Sequence, residues 1–405
     1  MSTMANDPRL IADRSGLAGL VTSWRRRLAS GDVGQLPVVI GLILIWGIFL
    51  FASNGKFFLP INLVNLSLQM AATGTIAVGV VFVLLLGEID LTVGVLSGLS
   101  AAIMAVLNVK MGLPGPVAVI LAIGSGMLIG LFHGFWITRF RIPAFVVTLA
   151  GLVAWQGALL YVIGANGTIN LRDDFITAFA GTFLKGPSGY ALGALLVAYV
   201  GLAAWLNRRR RLAAGLHAEA MSVLLLRVVG LAVALAIAIT ALDGDRCVPL
   251  SFVLLVTVVV LMDYVLRRTR FGRMVMAVGG NSEAARRAGI PVTRVRVVVF
   301  MLASTFSAFG GVLAASRLLA VEQGTGTGPE LLNAIAAAVI GVTSLFGGRG
   351  TAWAALLGIL VIQSISNGMD LLSFQPSFKL MVTGAVLLAA VTIDALARSG
   401  RKAAR

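Results

Sequence analysis

Charge is scarce in this chain of 405 residues: only 12% are Asp, Glu, Lys or Arg, against 59% apolar residues and a mean hydropathy of +0.98. A soluble domain carries about 25% charged residues and about half apolar ones. The shortage therefore excludes a water-soluble globular fold, and most side chains must face lipid or other apolar helices. Cysteine is almost missing. The single Cys247 excludes an intramolecular disulfide framework and reads as a small apolar residue at a helix start. Histidine is nearly as rare: His133 lies in an apolar run and His217 in a basic connection, with no metal-ligand spacing between them or to Cys247. His133, next to Gly134, reads as packed between helices rather than as a proton relay. Two motifs are absent altogether. Without GxxxxGKS or GxxxxGKT the chain has no phosphate loop with which to hydrolyse a nucleotide, and without GxSxG it has no nucleophile elbow. No catalytic residue, no metal site and no cofactor is expected on this chain, and a transport protein is a better class than an enzyme.

What the chain has in abundance is long apolar runs. Barrel strands alternate apolar and polar residues with period two, whereas these runs are continuous. They fall at about 37–53, 63–86, 91–109, 114–137, 143–164, 190–206, 221–242, 248–266, 297–320, 331–346, 352–372 and 379–396. The fold class expected is an all-α polytopic membrane protein with about twelve transmembrane helices. The net charge of +16 could suggest nucleic acid, but the basic residues cluster between apolar runs. With the N-terminus inside, all but seven of the 32 Lys and Arg fall on the inner side, the exceptions being Lys56, Lys110, Arg172, Lys185, Arg246, Arg317 and Lys379. That is the asymmetry that orients a multi-pass membrane protein. It implies cytoplasmic termini and a lipid bilayer, not nucleic acid, as the partner. The expected organisation is a basic cytoplasmic tail over 1–36, a transmembrane domain over 37–396 with a cytoplasmic loop at 267–296, and a second basic tail over 397–405.

Ionisable groups inside spans are costly and mark coupling paths in ion-driven carriers. Here Glu88 and Asp90 lie at a break between runs, while Asp263, Asp370 and Asp394 lie near run ends, which weakens an ion-coupled mechanism. The break reads GEIDLTVG, with Gly87 and Gly94 at its ends. Asp90 precedes Leu91-Thr92-Val93 and can cap the next helix, where the helix dipole favours a negative group. Glu88 has no basic neighbour in sequence, so it needs a partner from elsewhere in the fold, another subunit or water. GVTSLFGG at 341–348 echoes the stretch through Gly87/Gly341, Leu91/Leu345 and Gly94/Gly348, with Ala101/Ala355 in register. A parallel internal repeat, with a site at the repeat interface, and chance in a Gly- and Leu-rich chain are both open. On the outer side, 165–188 is long enough for a short surface helix between Asp173 and Phe183. The Gly/Thr-rich 321–330 reads as a vestibule, a docking surface or a plain flexible connection.

The loop FGRMVMAVGGNSEAARRAGIPVTRVR carries helix punctuation. Asn281 or Ser282 can cap a short helix containing Ala284, Glu283 sits in its first turn, Arg286 and Arg287 sit in its last, and Gly289 with Pro291 ends it. Such a two-turn amphipathic helix suits a groove of a separate cytoplasmic protein; the alternative is a loop made basic only by the orientation rule.

GEIDLTVG, this loop, TGTGPELLNAIAAAVIGVTSLFGGRG and SNGMDLL, in this order and spacing over about 60–395, resemble the permease subunits of bacterial sugar ABC importers of the ribose, arabinose and xylose group, and within the group most resemble its D-xylose members. Glu88 stands where ribose-type members have glycine, and 207–242 supplies spans that their chains lack. The resemblance implies the ABC importer permease fold, a homodimer in the cell inner membrane and two cytoplasmic ABC ATPase subunits that hold the ATP and Mg. It also implies a periplasmic sugar-binding protein that delivers the ligand, and makes 281–291 the coupling helix that docks into the ATPase. The dimer axis would enclose the sugar path, near GEIDLTVG and the 341–350 turn. Asn333, Val342 and Phe346 depart from the Asp, Gly and Ala common in the group. A path for a neutral polyol needs hydroxyl and amide groups; the candidates are Gln69, Thr73, Asn333, Gln363 and Asn367, each of which could instead be an interhelical hydrogen bond. The expected function is translocation of a pentose, D-xylose first, by an ATP-driven importer; the alternative is a self-sufficient ion-coupled carrier or facilitator.

Overall fold

The structure, a computed structural model, describes residues 36–165, 167–215, 218, 220–341 and 347–403, and omits the side chains of 390, 391 and 393 onwards. The N-terminal basic tail up to residue 35, His217, the C-terminal basic side chains and residues 342–346, with Val342 and Phe346, lie outside the described residues. The helices are α1 (Leu36–Ala52), α2 (Pro60–Leu85), α3 (Val93–Ala105), α4 (Gly115–Phe140), α5 (Ala144–Ile163), α6 (Asp174–Gly181), α7 (Pro187–Ala213), α8 (Met221–Asp243), α9 (Leu250–Arg268), α10 (Arg270–Gly280), α11 (Ser282–Arg287), α12 (Val292–Leu318), α13 (Glu330–Ile340), α14 (Trp353–Leu371) and α15 (Pro376–Ala403).

Each of the twelve apolar runs holds a helix among its described residues, and the protein is an all-α polytopic membrane protein. Among the described residues nine helices are long and apolar enough to cross a membrane, counting α3 with the π-helical turn Val106–Lys110 that extends it. The run at 331–346 differs from expectation: α13 stops at Ile340 after 11 residues. At 1.5 Å per residue that is about 16 Å, half of a hydrocarbon core of about 30 Å.

The chain divides into two compact units. Among the described residues one comprises 184–215, 218 and 220–248, the other 36–165, 167–183, 249–341 and 347–403. In the first, α7 and α8 form an antiparallel hairpin: the Tyr190 hydroxyl lies 3.1 Å from the Thr240 hydroxyl, and Gly201 lies opposite Val228. Few of its apolar side chains are buried within the unit, so they are left for lipid or another surface.

The second unit is built on α2 and α12. Where water is absent, apolar burial does not drive helices together, and small residues that let backbones approach take over. A Cβ at Gly79 would lie 2.9 Å from the Ala303 backbone, and one at Gly310 would lie 2.8 Å from the Ala72 carbonyl, so the two helices run antiparallel in close contact. α4 packs on the same helix through Gly130 against the Phe300 carbonyl and Gly134 against Val297. α13 packs on α14 the same way, since a Cβ at Gly358 would overlap the Ala337 carbonyl. After α12 the chain pairs residues 320–322 antiparallel with 168–170, Ile169 opposite Val321. It then turns back so that Thr325 and Gly326 press on Gly98 and Gly94 of α3. The 321–330 stretch is therefore partly buried and not a free connection. The helix expected in 165–188 is α6, whose N-cap is Asp173. One Asp173 oxygen accepts from the Phe175 and Ile176 N–H groups, the other from Asn108 and the Gly115 N–H.

Gly358→Val puts three carbons where the Ala337 carbonyl lies and should cost about 1–3 kcal/mol by overpacking, read as a lower unfolding temperature of the detergent-solubilised protein. Gly124→Val, where a Cβ meets nothing within 4 Å, should leave that temperature unchanged.

Candidate functional site

The break after α2 is shaped by one glycine. Gly87 takes φ +76°, a left-handed conformation that closes a helix without a Cβ penalty. Its N–H donates to the Leu84 carbonyl at 2.8 Å and the Glu88 N–H to the Val83 carbonyl at 3.2 Å, the crossed pair of a Schellman cap. The chain then runs without helix to Thr92. Asp90 is buried, and one of its oxygens accepts from both the Thr92 N–H at 2.8 Å and the Thr92 hydroxyl at 2.6 Å. It therefore holds the residue ahead of α3 rather than sitting at the cap position itself.

Glu88 has its partner in Arg296 of α12: Oε1 lies 2.7 Å from Nε. The contact is an ion pair by distance, without the alignment of a hydrogen bond, and the second Glu88 oxygen is buried with no hydrogen-bond partner among the described residues. Burial holds this carboxyl above the ordinary carboxylate range, and the Arg296 guanidinium opposes that shift. Nearby, the Thr148 hydroxyl reaches the Ile89 carbonyl at 3.4 Å. His133 is fully buried, and its Nε2 accepts from the Trp155 indole at 2.9 Å.

The short helix α11 forms as its punctuation dictates. The Asn281 side chain accepts from the Ala284 N–H at 2.9 Å. At the other end Gly289, φ +82°, closes a second Schellman cap: its N–H donates to the Arg286 carbonyl and the Ile290 N–H to the Ala285 carbonyl, both at 3.0 Å. Ala285 is buried, while Glu283 faces out with Arg287 at 3.4 Å and Arg286 at 3.8 Å. Exposed pairs of this kind contribute little stability, so the charged face is free to meet another surface.

α10, ahead of it, lies against the break. A Cβ at Gly279 would overlap the Leu85 carbonyl, and the Gly348 N–H donates to that same oxygen at 2.9 Å. Gly347, φ +82°, brings its Cα so near Gly87 that a Cβ there would lie 2.9 Å from the Gly87 nitrogen. The two stretches singled out for their sequence echo thus meet at their glycines, each lying between two helices; the middle of the second, 342–346, lies outside the described residues.

The polar candidates divide. Gln363 donates to Gln69 at 3.1 Å, and Asn367 accepts from Asn62 at 2.8 Å. The Trp46 indole donates to Ser364 at 3.0 Å. Gln69, Gln363 and Asn367 are therefore engaged in hydrogen bonds that tie α2 to α14. Sequence reasoning missed Asn62, Ser364 and Trp46; the spacing of Ser364 and Asn367 along one helix was the available signal. Thr73 is half-buried on α2. Asn333 of α13 differs, because its side-chain oxygen is buried with no hydrogen-bond partner among the described residues.

Residues 62–391 match the family described as branched-chain amino acid transport system / permease component. The chain is 36% identical over 369 residues to the xylose transport system permease protein of Escherichia coli strain K12, covering 91% of this chain and 93% of that protein. It is 35% identical to the corresponding protein of Haemophilus influenzae, covering 91% and 98%, and 31% identical to the ribose import permease protein of Bacillus subtilis, covering 93% and 97%. No solved structure matches.

Asn281→Ala should destabilise α11 by about 1 kcal/mol, the usual worth of an N-cap side chain, and Gly289→Ala by a similar amount through its left-handed backbone. Hydrogen exchange of the 284–290 amides in the purified protein should quicken severalfold in both; unchanged exchange in Asn281→Ala would mean that the cap does not hold the helix.

Proposed function

The chain belongs to the branched-chain amino acid transport system / permease component family, as a sugar permease that crosses the cell inner membrane many times, and from that premise we propose that it is the membrane-spanning subunit of an ATP-driven importer of a pentose, D-xylose first. The observation that carries the reading is the match to xylose permeases along nine-tenths of both chains, joined to a capped, charge-faced α11 in the most basic connection. Two copies of the chain would enclose the path. A periplasmic binding protein would deliver the sugar, and α11, with Asn281, Ser282, Glu283, Ala284, Arg286, Arg287 and Gly289 at and around it, would seat in a cytoplasmic ATPase that holds the ATP and Mg. The distribution of Lys and Arg supports both termini and this connection on the cytoplasmic side.

Nucleotide binding and release on the ATPases would then bias the dimer between outward- and inward-facing states. A neutral sugar needs hydrogen-bond partners rather than fixed charge along its way. Asn333 offers an uncommitted oxygen, Thr73 a hydroxyl, and the glycine breaks around Gly87 and Gly94 offer backbone groups. Gln69, Gln363 and Asn367 could serve only by exchanging the partners that they hold in this conformation.

Reconstituted with an ATPase subunit and a sugar-binding protein, the chain should accumulate D-xylose when ATP is supplied, and alone it should accumulate none under a proton gradient. Accumulation by the chain alone would establish an ion-coupled carrier instead. Glu283→Ala should lower ATP-dependent uptake by about tenfold, the size of one well-placed interface contact, with membrane insertion intact; full uptake would remove α11 from the coupling surface.

A further inference from the structure

The coupling segment has two flanks, and both end on the same four residues. Ahead of α11, Gly279 of α10 lies with its backbone against the Leu85 carbonyl, so closely that no side chain fits between them. Behind it, four residues into α12, Arg296 reaches the Glu88 carboxylate at 2.7 Å. At and between these contacts Val278, Ala285, Val292 and Val295 are buried in one apolar cluster with Leu84 and Leu85. Close-packed interiors are poorly compressible and carry displacement rather than absorb it. The far side of the break is connected as well: the extended stretch after Glu88 leads into α3, whose Gly94 and Gly98 carry Gly326 and Thr325.

On the reading of α11 as the ATPase contact, we propose that residues 85–88 are where its movement enters the membrane domain, received from both flanks through two positioning residues, Gly279 and Arg296. The Gly279 contact transmits a push because it is backbone on backbone. The Arg296–Glu88 pair transmits a pull because opposite charges removed from water resist separation. Gly280, one residue on, would carry a Cβ into open space, so the demand for glycine belongs to position 279 and not to the end of α10 in general.

The test uses the complex of this chain with the ATPase subunit and the sugar-binding protein in proteoliposomes, and reads ATPase retention, ATP hydrolysed and radiolabelled D-xylose taken up. Gly279→Ala, Arg296→Glu and Glu88→Arg should each retain the ATPase yet lower sugar moved per ATP by about tenfold, within the range of an intersite coupling. Gly280→Ala should match the wild type, and the double reversal Glu88→Arg with Arg296→Glu should recover most of the loss, which a merely misfolded single variant would not predict. Unaltered stoichiometry in Gly279→Ala, or a double reversal no better than the single ones, overturns the proposal while leaving the ATPase contact standing. Failure of the wild-type chain to retain the ATPase overturns the contact itself, and this proposal with it. If the variants fail to insert, hydrogen exchange of the wild-type complex decides: ATP should change protection of 83–90 together with 275–290, and a change confined to 275–290 rejects the transmission.

Discussion

The Leu85 carbonyl is the group on which the arrangement around the break depends. A helix that ends away from water must satisfy its last carbonyls internally, because each orphan is costly in an apolar surrounding. At the end of α2 the Val83 carbonyl receives Glu88 and the Leu84 carbonyl receives Gly87, both within the turn. Leu85 is left over and takes its donor from Gly348, far along the chain. Gly279 lies with its backbone on that oxygen beside the Gly348 N–H, and Gly347 packs on Gly279 and Gly87, so no side chain stands between the three segments. A local accounting requirement thereby becomes a tertiary constraint joining α2, the connection before α14 and α10.

The two units differ in how their helices meet. Through α2, α4, α12, α13 and α14 the crossings rest on Gly and Ala, and the helices approach until backbones touch. The hairpin of α7 and α8 is about as rich in large apolar residues and buries few of them. Close helix packing suits a part that must hold polar groups in register. An apolar surface with little internal burial suits contact with lipid, where a large side chain loses nothing by facing outward.

Much of this was legible in the sequence where the signal is local. Continuous apolar runs foretold helices, because a spanning backbone must satisfy its own hydrogen bonds, and Asn281 and Gly289 marked the ends of α11 because cap chemistry acts within four residues. The misses in side-chain pairing are long-range. Nothing near Glu88 announces Arg296, and nothing near Gln69 announces Gln363, since side-chain pairing across helices is set by which faces meet. The run at 331–346 read as one span because composition cannot distinguish a crossing helix from a half-length one that stops at Gly341. The roles given to Asn333 and Thr73 rest on chemistry and on the uncommitted Asn333 oxygen.

Glu88 shows how the two kinds of information combine. A carboxylate between apolar runs is expensive wherever it lies, so its presence already demanded a compensating charge. The fold supplies one, but imperfectly: the guanidinium is near without being aligned, and a carboxylate oxygen is left bare. A pair meant only to hold the helices together would gain from full alignment, since an incompletely bonded buried pair recovers little of its desolvation. A pair that must tolerate two positions of α12 gains from the reverse, because attraction by distance survives a small shift that would break a linear hydrogen bond. The loose geometry of Glu88 and Arg296 therefore fits a joint between moving parts better than a fixed brace.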